Sequence, residues 1–198
     1  MNEYAILAKQ AYNYNSPVYE PIPNWLRMGD FSDSYNTTFI NHQRKEIVIA
    51  IRGTDPSKLG DLISDGMILA NTLERSPHYN HAKRRLLALH SKFQPLGYSI
   101  TLVGHSLGGS VAQLLGRRYP EIRTITFNAG QGPSQFGESL KDKLLCKVMR
   151  NKDACRNNIS QYSTGLDPIS VLGVLNNRNV GARGGLDTHG VGNFTKKN

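Results

Sequence analysis

Only two cysteines, Cys146 and Cys155, occur in 198 residues. They are too few for a disulfide framework and too far apart for a redox pair or a zinc half-site, so free thiols are expected. No apolar run approaches the 18 or so residues of a membrane span, and Met1-Asn2-Glu3-Tyr4 shows no basic stretch leading into an apolar one. The expectation is a soluble chain without a recognisable signal peptide, cytoplasmic or, if viral, carried in a virion. No linker, repeat or low-complexity tract interrupts residues 1–198, which read as one domain large enough to bury a full core. No set of His, Cys and carboxylate residues has metal-ligand spacing, so no metal is expected. Acidic residues are scarce, with 15 Asp and Glu against 24 Lys and Arg, for a net charge of +9. The basic residues are scattered, as in Arg44-Lys45, Lys83-Arg84-Arg85 and Arg117-Arg118, without an aromatic-rich RNA-binding signature. Nucleic acid is therefore not expected as a partner. Most of the charge reads as solvated surface, and transient contact with an anionic membrane is one further use for it.

What is there centres on residues 101–115, where the apolar run Thr101-Leu102-Val103 reaches Gly104-His105-Ser106-Leu107-Gly108 and continues into Val111, Leu114 and Leu115 at helical spacing. A Gly-x-Ser-x-Gly sequence between a strand and a helix is the pattern of a nucleophile elbow. The glycines let the two backbones approach, and the turn lifts the Ser106 hydroxyl to the mouth of a sheet.

Around this centre, Glu3 to Tyr12 suits an amphipathic helix, and Pro17, Pro21 and Pro23 punctuate a loop. Tyr35 to Ile40 and Glu46 to Ile51 read as a hairpin feeding the buried strand Ile47-Val48-Ile49-Ala50-Ile51. Asp61 to Leu73 is weakly helical. Tyr79, Ala82, Leu86, Leu89 and Phe93 mark a basic helix that stops near Pro95-Leu96-Gly97. Thr124 to Phe127 is a strand, Phe136, Leu140 and Leu144 mark a helix, and Ile159 to Thr164 is the last clear strand. Beyond Gly173 the Gly- and Asn-rich sequence is expected to have little regular structure. Strands alternating with helices imply an α/β fold, a mostly parallel sheet with helices on both faces and its site beyond the carboxyl ends of the strands. Arg52-Gly53-Thr54, Gly104-His105-Ser106 and Leu166-Asp167-Pro168 each follow a strand and should converge on that edge.

A serine hydroxyl needs a base to act as nucleophile, and the base needs a third group to fix its tautomer. Of six histidines, His105 adjoins the serine and must point elsewhere. His42 lies at the wrong end of its strand, and His78, His81 and His90 sit on the basic helix as expected surface residues. His189, downstream of the last strand, is the candidate base. Asp167, ending a strand, is preferred as the acid over Asp153 in a polar loop and Asp187 two residues from the histidine. The oxyanion would be held by the backbone N–H groups of Leu107 and Thr54.

With these residues in view, the sequence resembles the class-three (fungal-type) lipases of the α/β-hydrolase fold over roughly Tyr35 to Phe194. Ile51-Arg52-Gly53-Thr54 is similar to that family's oxyanion segment, and Gly104-His105-Ser106-Leu107-Gly108-Gly109 to its elbow. Asp167-Pro168 and His189 stand where its acid and base stand. The resemblance implies a compact α/β-hydrolase that cleaves carboxylic esters of acylglycerols or glycerophospholipids, with no metal or organic cofactor. Phospholipase A1 action on anionic membranes is the alternative substrate class. A hydrolase-fold binding protein without turnover is the alternative of another kind, against which the Ser106, Asp167 and His189 set argues. Two departures stand out: the acid and base are close in sequence, and Asp55-Pro56-Ser57-Lys58-Leu59-Gly60 lacks an amphipathic lid helix, which implies an open site.

Overall fold

The computed structural model describes residues 3–14, 21–54, 72–130, 144, 158–164, 177–179 and 190–195. The sheet is nucleated in sequence by Ile47-Val48-Ile49-Ala50-Ile51, an apolar run long enough for one strand and fully buried on both faces. This is β3 (Glu46–Ile51), and it lies between β2 (Asn36–Asn41) and β4 (Ser99–His105). The sheet continues outward through β1 (Leu26–Arg27) on one side and β5 (Arg123–Phe127), β6 (Ile159–Ser163) and β7 (Asn177–Asn179) on the other. β1, β2 and β3 pair antiparallel, whereas β3 to β7 run parallel. The 42–45 turn of the β2–β3 hairpin is braced by the Arg44 N–H, which donates to Asn41 Oδ1 at 3.0 Å.

The period-two alternation of a strand divides β3 between two cores. Ile47, Ile49 and Ile51 pack with Leu102 beneath α2 (Pro77–Phe93) and α3 (Leu107–Arg118), while Val48 and Ala50 pack with Val103 and Phe127 against α1 (Glu3–Gln10). Helix α2 starts where the sequence supplies a cap, Ser76 Oγ accepting the Tyr79 N–H at 3.1 Å ahead of Pro77. It buries Tyr79, Ala82, Leu86 and Leu89, and the chain then turns at Gly97, whose φ of 81° suits a residue without a side chain.

The expected strands and the helices at the N-terminus, at 77–93 and after Ser106 are present. Two features depart from expectation. β1 is a two-residue strand held by tertiary pairing with Phe39 and Ile40 rather than by its own pattern. β7 lies in the stretch expected to lack regular structure, because pairing with Gln161 to Ser163 supplies an order that its Asn-rich sequence does not. The helices expected at residues 61–73 and 136–144, and the lid-less segment 55–60, lie outside the described residues apart from Thr72, Leu73, which is in a 3-10 turn, and Leu144. Among the described residues, no helix is long and apolar enough to cross a membrane.

Candidate active site

The centre of the site is a residue held where its side-chain type does not belong. Ser106 has φ 56° and ψ −128°, a region essentially reserved for glycine and costing about 1–3 kcal/mol in any other residue. Packing on every side imposes it. A Cβ on Gly104 would run into the Gly108 carbonyl, and one on Gly108 would run into the Ile51 carbonyl and Arg52. The end of β4, the first turn of α3 and the end of β3 therefore meet with no room for side chains between them. The Ser106 N–H donates to the Phe127 carbonyl at 3.1 Å, and the Ser106 carbonyl accepts the Ser110 N–H at 3.0 Å. Ser106 is buried, and its Oγ has no hydrogen-bond partner among the described residues.

Beside the elbow, Arg52-Gly53-Thr54 leaves the end of β3. The Arg52 N–H donates to the Tyr35 carbonyl at 2.8 Å. Gly53 faces the His105 carbonyl and the Ser106 Cβ so closely that it has no space for a side chain. Two candidate oxyanion residues, Thr54 and Leu107, thus flank Ser106 on adjacent strand ends, both partly exposed. The candidate acid Asp167 and base His189 lie outside the described residues, as do Asp153 and Asp187.

Four of the five described histidines have defined neighbours. His105 does point away from the serine, its Nδ1 sharing a 2.8 Å hydrogen bond with Tyr12 Oη. His42 sits at the opposite end of the sheet beside Tyr98. His78 and His81, expected as plain surface residues, are instead half-buried around the Tyr35 ring, with centroids at 4.9 and 4.3 Å. Burial, with the nearby Arg52 and His81 charges, holds His78 below the ordinary imidazole value. In the same cluster burial works to raise the Asp33 carboxyl. The backbone N–H groups of Tyr35 and Asn36 and the side chains of His81 and Arg85 outweigh it, leaving Asp33 below its ordinary value.

Two residues near the site carry no signal in the sequence. Asn128, just past β5, is fully buried with φ 44°, and its Oδ1 accepts the Thr164 N–H at 2.9 Å. It thereby fixes the end of β6, three residues before Asp167. Tyr12, in the turn after α1, reaches the junction of the Gly53 and His105 loops. Among the described residues, no group of three His, Cys, Asp or Glu is placed to hold a metal ion.

A mixed sheet with helices on both faces and a strained serine at a strand–helix elbow is the architecture of the α/β-hydrolase fold. Within that architecture, the model of the lipase (class 3) family matches residues 62–153, a little under half of the chain. A search of curated proteins finds no match. Among solved structures, the Lip2 lipase of Yarrowia lipolytica superposes with a TM-score of 0.59 at 23% identity, over 88% of this chain and 73% of that one. The Rhizomucor miehei lipase in its propeptide complex gives 0.51 at 14% identity, over 83% of this chain and 60% of that one. These likenesses bear out the fold.

Proposed function

We propose that the chain cleaves acyl-glycerolipids through an acyl-enzyme on Ser106. His189 takes the Ser106 proton as Oγ attacks the ester carbonyl, and Asp167 holds the imidazole in the right tautomer and offsets its charge. The backbone N–H groups of Thr54 and Leu107 receive the oxyanion. His189 then protonates the leaving alcohol, and water clears the acyl-serine by the same steps. The observation that carries this reading is the Ser106 backbone, held at φ 56° beside the Thr54 loop, since no structural need of the fold explains a non-glycine residue there.

A fluorophosphonate probe tests it. Wild-type protein should label once, at Ser106, and hydrolyse dispersed glycerol esters, with both lost in Ser106→Ala to about one part in 10⁶ of the turnover. Labelling elsewhere, or more than a few per cent residual activity, would reject the mechanism; a wild type inert to probe and ester alike would favour a binding protein.

Phospholipase A1 action on anionic membranes is the second reading, supported by the net charge of +9 and by the outward face of α2, where Arg84, Leu87 and Lys92 are exposed. Each cation near an anionic bilayer contributes roughly 1 kcal/mol, screened within about 8 Å at physiological salt. Hydrolysis of anionic vesicles should exceed that of zwitterionic ones at low salt, with the gap closing as salt rises. Equal rates at low salt would remove this reading.

A further inference from the structure

The N-terminal segment lies outside both the family match and the stretch that carries the sequence resemblance, yet it reaches the centre of the site. Helix α1 is fastened to the sheet by Ala5, Leu7 and Ala8, and Ala11 in the following turn is buried with them. This places Tyr12 over the C-terminal edge, where Tyr12 Oη bonds His105 Nδ1 at 2.8 Å and the two rings meet edge to face with centroids 5.9 Å apart. His105 is the last residue of β4 and the immediate neighbour of Ser106, and it is almost wholly buried. The same hydroxyl stands against Gly53, and together with the His105 carbonyl it closes the space a Gly53 side chain would need.

We propose that Tyr12 is a positioning residue for the oxyanion hole, setting the separation between the Thr54 and Leu107 N–H groups without touching substrate itself. The inference rests on the proposed roles of Ser106, Thr54 and Leu107. Its physical content is that one hydroxyl touches both loops that carry the donors: through His105 it holds the loop leading to Leu107, and by contact with Gly53 it holds the loop leading to Thr54. Donors aimed at a developing charge lose effect steeply when displaced, and loss of one typically costs 10²–10³-fold in turnover. A hydroxyl that only aims them should be worth less, about 10–100-fold. Because the donors act on the charged intermediate and not on the ground-state ester, the loss should fall on kcat and leave KM within about twofold.

Tyr12→Phe removes the hydroxyl and keeps the ring. Expected are a kcat lowered about 10–100-fold on a dispersed short-chain ester, KM nearly unchanged, and an equal loss of affinity for a trifluoromethyl ketone, which forms an oxyanion on Ser106. A second measurement uses His105→Gln. If Tyr12 acts through His105, adding Tyr12→Phe to His105→Gln should cost much less than Tyr12→Phe alone. Wild-type kcat in Tyr12→Phe, a loss confined to thermal stability, or a kcat loss with ketone affinity intact would each overturn the proposal. Failure of the underlying reading looks different: the wild type itself would show no Ser106-dependent turnover or ketone binding, whatever residue stands at position 12.

Discussion

Ser106 is bonded through its backbone N–H to the carbonyl of Phe127, at 3.1 Å, across the last step of the β4–β5 ladder. The nucleophile candidate is therefore oriented by the neighbouring strand as much as by the helix it begins. The Phe127 ring in turn stacks on Tyr162 and packs on Phe194, at centroid distances of 5.6 and 5.0 Å. One residue of β5 thus couples the elbow to the strand that leads toward Asp167.

The strain at Ser106 should be measurable as stability. Ser106→Gly relieves a backbone that only glycine adopts freely, so it should be more stable than wild type by about 1–3 kcal/mol in urea unfolding. Ser106→Ala keeps the strain and should stay near wild type. Both lose esterase turnover. A Ser106→Gly protein no more stable than Ser106→Ala would show that the elbow is not strained.

Gly108→Ala tests the close approach of α3 to β3. The new methyl would meet the Ile51 carbonyl, which belongs to β3, a strand paired on both sides, and cannot withdraw. Overpacking of this kind costs typically 1–3 kcal/mol and more where backbone is the obstacle. The variant should unfold at clearly lower urea concentration, and its fluorophosphonate labelling should fall with the displaced elbow. Unchanged unfolding and labelling would contradict the contact.

Asn128 has two separable roles. Asn128→Gly removes the side-chain acceptor shared by the buried Thr164 N–H and hydroxyl and should cost about 1–3 kcal/mol. Asn128→Ala loses the same acceptor but keeps a Cβ at φ 44°, without the relief that glycine gives, and should be less stable than Asn128→Gly by about 1–2 kcal/mol. Thermal unfolding of the two variants side by side gives the split, and equal midpoints would remove the backbone term.

Acid should weaken the fold in two windows. A depressed histidine binds protons more readily unfolded, so the His78 contribution is complete above about pH 6.5 and is lost as pH falls through the lower folded value. Asp33, also depressed, contributes fully above about pH 4 and loses that contribution as pH falls through its own folded value. Chemical denaturation across pH 3–8 should show both steps, the upper one absent in His78→Gln and the lower one in Asp33→Asn. A profile unaltered by either substitution would contradict the cluster.

The parts legible in the sequence are those whose cause is local. The run of β3 is apolar without a break, α2 carries its own cap, and Gly104 and Gly108 bracket Ser106 because the turn tolerates nothing larger. The illegible parts have their cause elsewhere in the chain. Tyr12 looks like the end of one more amphipathic helix, and only the docking of α1 brings it to His105. Asn128 reads as a turn residue until Thr164 arrives beside it. His78 and His81 share a helix with Lys83 and Arg84, which suggested a solvated face, yet Tyr35 and Asp33 cover them from the hairpin side. β7 takes its order from β6, and no composition of its own announced it.

Each strand of the sheet lies beside the one that precedes it in the chain. Among the described residues no later strand has to be threaded between two earlier ones, so each described strand after β1 finds its edge already made. The sheet can be laid down in the order of translation, one edge at a time, with the first hairpin as template while the rest of the chain is still emerging. The Ser106 elbow depends on this sequence of events, because β4 has its β3 neighbour before it is synthesised but must wait for β5 to supply the Phe127 carbonyl. A nascent chain ending before residue 123 should hold the hairpin and α2 yet leave the nucleophile unoriented, and competence for chemistry would arrive later still, with Asp167 and His189.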